Sequence, residues 1–364
     1  MTGYFSETYQ EARDRLLRLA REASGWDHEQ IRHPETGPNG QPIYTDVLWR
    51  GARDAQRVLS ITSGTHGAEG FCGSALQSWI VDTAPQLPDD TAIMLVHAVN
   101  PYGFAHIRRV NEDNIDLNRN FIDFADGRPE NRAYAEIFDL LNPREWTPDT
   151  PVLIASELDR MRSERDQLAM MKMISGGQYE FANGMQFGGF EPAWSRRTME
   201  DIWQRYLQNT KIVVQIDVHT GLGPDGVGVL MMAADDEEPH KAITAEWLGP
   251  MFVTPRPRSA AETVLGGYMN AGMEQQVDAW VIPMTLEYGT RPNNQVLMAM
   301  IEDNWLVHHG EIDSADGRAI KERLLRVFYP DDEAWREKVM ARGEEVLTKA
   351  LAGLGTLDLE QAAG

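Results

Sequence analysis

The sequence holds a single cysteine, Cys72, among its 364 residues. That excludes an internal disulfide and agrees with a reducing compartment. It also rules out a thiolate metal site, so any metal has to rest on histidine and carboxylate side chains. Long apolar runs are missing as well: none approaches the roughly 20 residues that span a bilayer. The opening MTGYFSETYQEARDRLLRLAREAS mixes acidic with basic residues and has no apolar signal core, which leads to the expectation of a cytoplasmic protein away from membranes. Basic residues are scarce, with 34 Lys and Arg against 56 Asp and Glu and a formal net charge of −22. Phosphate recognition needs clustered Lys and Arg, so a nucleic-acid partner is not expected. The charge favours solubility and leaves self-association open. An anionic substrate would need a local basic pocket set into this acidic background. Neither an internal repeat nor a low-complexity linker divides the chain, and a single domain over 1–364 is expected.

What is present is ordinary for a globular protein, with 42% hydrophobic and 25% charged residues. Ser6 offers an N-cap to a helix whose apolar face is Leu16, Leu17, Leu19 and Ala20. Apolar runs follow at 43–49, 57–62, 92–99, 211–218, 227–233 and 279–286. Helical periodicity lies at 72–83, 131–141, 196–208, 292–307 and 332–350. Strands interleaved with helices predict an α/β fold of three layers, a mixed and mostly parallel twisted sheet with helices on both faces. Residues 124–210, rich in charge, Pro and Met, are the least sheet-like and read as a helical or loop insertion. Within them 176–195, GGQYEFANGMQFGGFEPAWS, fits either a surface loop with a few buried rings or a pocket wall.

Ligands gather in open α/β sheets where strands end and the chain turns. Three such ends carry ionisable groups. In 57–70, RVLSITSGTHGAEG, a strand and a Gly-rich turn lead to His66 and Glu69, which can face one cation; alone, the pair is weak evidence and better fits a capping Glu beside a turn His. In 211–223, KIVVQIDVHTGLG, alternation places Gln215, Asp217 and His219 on one face. Two His and one carboxylate would leave a fourth metal position for water. In 279–290, AWVIPMTLEYGT, Glu287 ends an apolar strand, placed either to move a proton of metal-bound water or to pair with Arg291. Between the first two lies 100–121, NPYGFAHIRRVNEDNIDLNRNF. Its arginines suit a carboxylate or oxyanion, or surface pairs with Glu112, Asp113 and Asp116.

The ordered series H66-G-A-E69, N100-P-Y-G, D116-L-N-R-N-F121, H219 and E287 resembles the M14 metallocarboxypeptidase superfamily, which includes aspartoacylase-like deacylases. The phrases NPYGF, RRVNEDNIDLNRNF and DVHTGLG are most similar to its bacterial DUF2817 branch. The resemblance implies one zinc ion per chain on His66, Glu69 and His219, with Asp116 orienting the first imidazole. It implies Glu287 as general base, Arg109 polarising the scissile carbonyl with Arg108 as the adjacent alternative, and Asn118 and Arg119 holding a free carboxylate. The family's phenol matches Tyr268, with Tyr288 as the alternative. The implied activity is zinc-dependent hydrolysis of an amide next to a free carboxylate. The substrate would be a small peptide, as for a carboxypeptidase, or an N-acyl amino acid, as for an aspartoacylase-like deacylase. From another class, a non-catalytic phosphate- or nucleotide-binding protein would use the Gly-rich 63–73 turn, which lacks the Lys-Ser/Thr ending of a nucleotide loop.

Overall fold

The structure is a computed structural model that describes residues 2–234, 238–254 and 266–359. Among these residues one mixed sheet holds β1 (Asp27–Thr36), β2 (Pro42–Arg50), β3 (Arg57–Ser63), β4 (Thr91–His97), β5 (Ile212–Asp225), β6 (Gly228–Ala233), β7 (Phe252–Thr254) and β8 (Trp280–Gly289). Their order is β1-β2-β4-β3-β5-β8-β6-β7. The central four, β4, β3, β5 and β8, run parallel. At one flank β1 and β2 pair antiparallel and β2 runs antiparallel to β4, while at the other β6 runs antiparallel to β8. The short β7 pairs parallel with β6.

Alternation along the central strands feeds two cores. Leu59, Ile61, Val214, Ile216, Ile282 and Met284 face the helices Tyr9–Glu22, Gly70–Thr83 and Glu333–Leu354. Val58, Val213 and Val281 face the other way, onto Met199, Ile202 and Trp203 of the helix Trp194–Leu207. These are the three expected layers. The first long helix begins later than Ser6 suggests. Thr8 is its cap and accepts the Glu11 amide at 3.1 Å.

The helices Arg132–Leu141, Thr150–Glu164 and Gln167–Ser175 build a separate apolar cluster around Tyr134, Ile137, Leu158, Met161 and Met173. That cluster also takes Ile301 from the helix Asn293–His309. Trp194–Leu207 lies in the same 124–210 stretch yet packs on the sheet itself.

Candidate metal centre

His66 lies just past β3, at the entry to a short 3-10 turn, Gly67–Glu69, that leads directly into the helix Gly70–Thr83. The turn sits tight against the loop that follows β4. The Gly67 and Ala68 amides donate to the Arg109 and Arg108 carbonyls at 3.2 and 2.8 Å. A Cβ on Gly67 would meet the Gly103 carbonyl carbon at 1.9 Å, so only glycine allows this approach. His219 comes from β5 and stands in register with Glu287 of β8. Both belong to the odd-numbered face that continues the second core, where Gln215, Asp217 and Thr285 precede them.

His66, Glu69 and His219 converge, all buried, with one donor atom from each within 4.8 Å of the others. The two Nδ1 atoms are 3.2 Å apart. Glu69 Oε1 lies 2.9 Å from His66 Nδ1, and Oε2 lies 2.9 Å from His219 Nδ1. A tetrahedral zinc with bonds of about 2.0–2.1 Å has ligand–ligand edges of roughly 3.3 Å, so the spacing fits. The far sides fit as well. His66 Nε2 meets Asp116 Oδ1 at 3.1 Å, and His219 Nε2 meets Asp217 Oδ2 at 2.6 Å. A carboxylate on each distal nitrogen fixes the tautomer that leaves Nδ1 free to bind a cation.

Electrostatics follow from packing. Burial works against the charged form of His219, but Asp217 and Glu69 outweigh it and raise its pKa well above the ordinary histidine value. Glu69 is likewise opposed by burial, yet His66, His219 and Arg109 hold it below the carboxylate range. Asp116 is held far down, against burial, by Arg109 and His66. Glu287 behaves oppositely. Burial and the nearby Glu69 push it up to about 7, and only the Leu222 amide, 2.8 Å from Oε1, bonds to it among the described residues. It does not pair with Arg291.

The structure separates the two adjacent arginines. Arg109 donates from Nη1 to Glu69 Oε1 at 2.7 Å and from Nε to Asp116 Oδ2 at 3.3 Å, leaving Nη2 without an acceptor among the described residues. Arg108 is turned to Asn114 at 2.9 Å and to Asp303 at 3.4 Å, and Lys321 shares that aspartate. It is a buried strut under the loop and makes no contact with the triad. Asn118 Oδ1 accepts the Met269 amide at 3.0 Å, while Nδ2 lies 3.4 Å from His219 Nε2, whose proton goes to Asp217, so Nδ2 is not satisfied by that ring.

Arg119 is 5% exposed and forms an ion pair with no carboxylate among the described residues. Its guanidinium is held by the Ser175 and Asn118 carbonyls and lies 5.4 Å from the centroid of the Tyr268 ring. Tyr268 is half-buried, with its pKa raised by burial. Tyr288 points into the opposite core, where its hydroxyl donates to the Val339 carbonyl at 3.1 Å. Of the two tyrosines, Tyr268 is the one that packs against a candidate site residue, Arg119.

Two features escaped the sequence reading. Asp217 is a face neighbour of His219 to which the sequence pattern assigns no role; a carboxylate two positions before a histidine on the same strand face is the available signal. The 176–195 segment proves to be a strap on the site loop. The Asp116 amide donates to the Phe187 carbonyl at 2.8 Å. Asn120 bonds the Gly188 and Glu191 carbonyls and accepts from the Ala193 amide.

The fold and site thus define an α/β protein with a buried His-Glu-His centre at the ends of its parallel strands. The chain belongs to the family described as "Protein of unknown function (DUF2817)", whose model matches residues 5–342. No curated protein matches it. Solved structures of related shape include thrombin activatable fibrinolysis inhibitor, at 11% identity and a TM-score of 0.46 over 88% of this chain and 73% of that one. A metallo-carboxypeptidase from Burkholderia cenocepacia gives 12%, 0.43, 97% and 71% in the same order. An aspartoacylase family protein from Mesorhizobium loti gives 13%, 0.40, 80% and 68%. Likeness at this level says nothing of what this chain binds or cleaves.

Proposed function

We propose that this protein is a zinc-dependent hydrolase that cleaves an amide bond next to a free carboxylate, in the manner of an M14-like carboxypeptidase. The observation that carries the reading is the convergence of His66 Nδ1, Glu69 and His219 Nδ1, each imidazole backed by its own aspartate, with Glu287 in register beside His219. Zinc, when bound there, supplies a water acidic enough to ionise near neutral pH and polarises a carbonyl oxygen.

The remaining steps fall to the chain's own residues. Glu287 has one oxygen on the Leu222 amide and the other, without a hydrogen bond among the described residues, placed to take a proton from the attacking water and return it to the leaving nitrogen. Arg109 keeps its place through Asp116 and Glu69 and has Nη2 left to donate to a developing oxyanion. Arg119, a buried cation without an acidic partner among the described residues, suits a substrate carboxylate and would fix its distance from the point of attack. Tyr268, packed by Arg119, would close that side of the site.

An N-acyl amino acid offers the same amide and carboxylate, so an aspartoacylase-like deacylase uses the same groups. The deciding experiment compares hydrolysis of a free-acid peptide, its C-terminal amide and a panel of N-acyl amino acids by the zinc-loaded chain. Preference for the peptide acid supports the carboxypeptidase, and preference for acyl amino acids supports the deacylase. Equal rates on acid and amide would remove Arg119 from its role.

A further inference from the structure

Arg119 is buried, and how it is held decides what it can offer. The helix Gln167–Ser175 ends beside it. The Ser175 carbonyl accepts Nε at 3.2 Å and Nη2 at 2.8 Å, so it takes one whole edge of the guanidinium. The Asn118 carbonyl accepts Nη1 at 2.7 Å. A guanidinium has five N–H groups, so among the described residues one is left without an acceptor on Nη1 and one on Nη2. Two donors on the terminal nitrogens match the two oxygens of a single carboxylate.

The residues after the helix complete the hold. Gly177 has φ +82°, and a Cβ there would meet Arg119 Cδ at 2.7 Å. Two residues further on, the Tyr179 hydroxyl donates to the Arg119 carbonyl at 2.6 Å. The turn is tied back to the insert as well, because Asn131 Nδ2 donates to the Gly177 carbonyl at 2.9 Å. Side chain and backbone of one arginine are therefore both fixed by a single turn, and that turn hangs from the Met-rich helical cluster.

We propose that the turn Ser175–Tyr179 positions Arg119 for a substrate carboxylate, with Gly177 and Tyr179 as positioning residues, so that the helical insert sets how strongly the acid is recognised. This rests on the reading of Arg119 as the carboxylate anchor and extends it to residues that never touch substrate. Ser175 takes the edge of the guanidinium that would otherwise face several ways, and the two remaining donors are left in one orientation. The chemistry recognised is a single carboxylate, gripped at both oxygens.

Binding to the full-length, zinc-loaded chain tests this without turnover. The probes are 4-oxopentanoate, in which a methylene replaces the amide nitrogen of N-acetylglycine so that no scissile amide is present, and 4-oxopentanamide, its neutral counterpart, titrated by calorimetry into wild type, Gly177→Ala, Tyr179→Phe and Arg119→Ala. Wild type should prefer the acid, and Arg119→Ala should lose that preference. Gly177→Ala and Tyr179→Phe should cut it by roughly tenfold, the upper scale of one neutral hydrogen bond, with amide binding and zinc content unchanged. Tyr179→Phe removes only a hydroxyl and keeps the test alive should Gly177→Ala misfold. If Arg119→Ala abolishes the preference while both turn variants keep it in full, the turn does not position the arginine and the inference falls alone. If wild type and Arg119→Ala bind acid and amide alike, the anchor reading falls and takes the inference with it.

Discussion

At the scale of single residues, the centre is a set of opposed charges that only a cation reconciles. Two imidazole Nδ1 atoms at 3.2 Å, beside one carboxylate, have no stable shared arrangement without a proton or a metal between them. In the metal-free protein that proton is held tightly. The raised pKa of His219 gives a stabilisation complete below the unfolded value of about 6.5 and lost as pH rises through the folded one. Metal has to displace that proton. Zinc affinity, measured by chelator competition, should therefore rise from mildly acidic to mildly alkaline pH; a flat profile would argue against His219 as ligand. Asp217→Asn should weaken zinc binding about 10–100-fold, the usual cost of removing a carboxylate behind a ligand histidine, while far-ultraviolet dichroism stays unchanged. Glu287→Gln should lower kcat by about 10²–10⁴ and keep zinc, since the side chain lies beside the triad and not in it. The candidate ligands were legible because His66 and Glu69 follow the apolar run of β3, and His219 the apolar run of β5, in a recognisable order. Asp217 was not, since one strand face lists neighbours without saying which of them touch.

Elements bring these residues together through register. Parallel pairing of β5 with β8 sets His219 opposite Glu287, and the even-numbered neighbours Leu286 and Tyr288 go into the other core. A slip of one residue would send both functional groups to the wrong face. The central strands were readable from their apolar runs. Edge strand β1, DHEQIRHPET, was not, because it is largely exposed and held by ladder bonds to β2 rather than by burial. Three-residue β7 is too short to leave a pattern. The 176–195 strap was equally opaque, because backbone carbonyls anchor it and carbonyls carry no sequence signature. Its dependence on Asn120 is testable. Asn120→Ala removes bonds to the Gly188 and Glu191 carbonyls and from the Ala193 amide. Leaving buried groups unpaired should cost about 1–3 kcal/mol in denaturant unfolding, and an unchanged midpoint would show that the strap is held by other contacts.

For the whole molecule, the acidic surface and the basic site loop are separate facts. The net charge of −22 favours solubility and repels anions at long range, whereas the proposed roles of Arg109 and Arg119 are short-range, from half-buried and buried positions. No helix among the described residues is long and apolar enough to cross a membrane. Zinc that binds only the folded chain should stabilise it by about 4 kcal/mol at a thousandfold excess over its Kd. The thermal midpoint should therefore rise with zinc and fall with a chelator, and neither change should occur in His219→Ala. The central claim is that His66, Glu69 and His219 hold a metal, and elemental analysis of the purified wild type beside His219→Ala tests it most directly. One zinc per chain in the wild type, with loss from the variant, is the expected result; a wild type that binds no zinc, or a variant that keeps it in full, would contradict the claim.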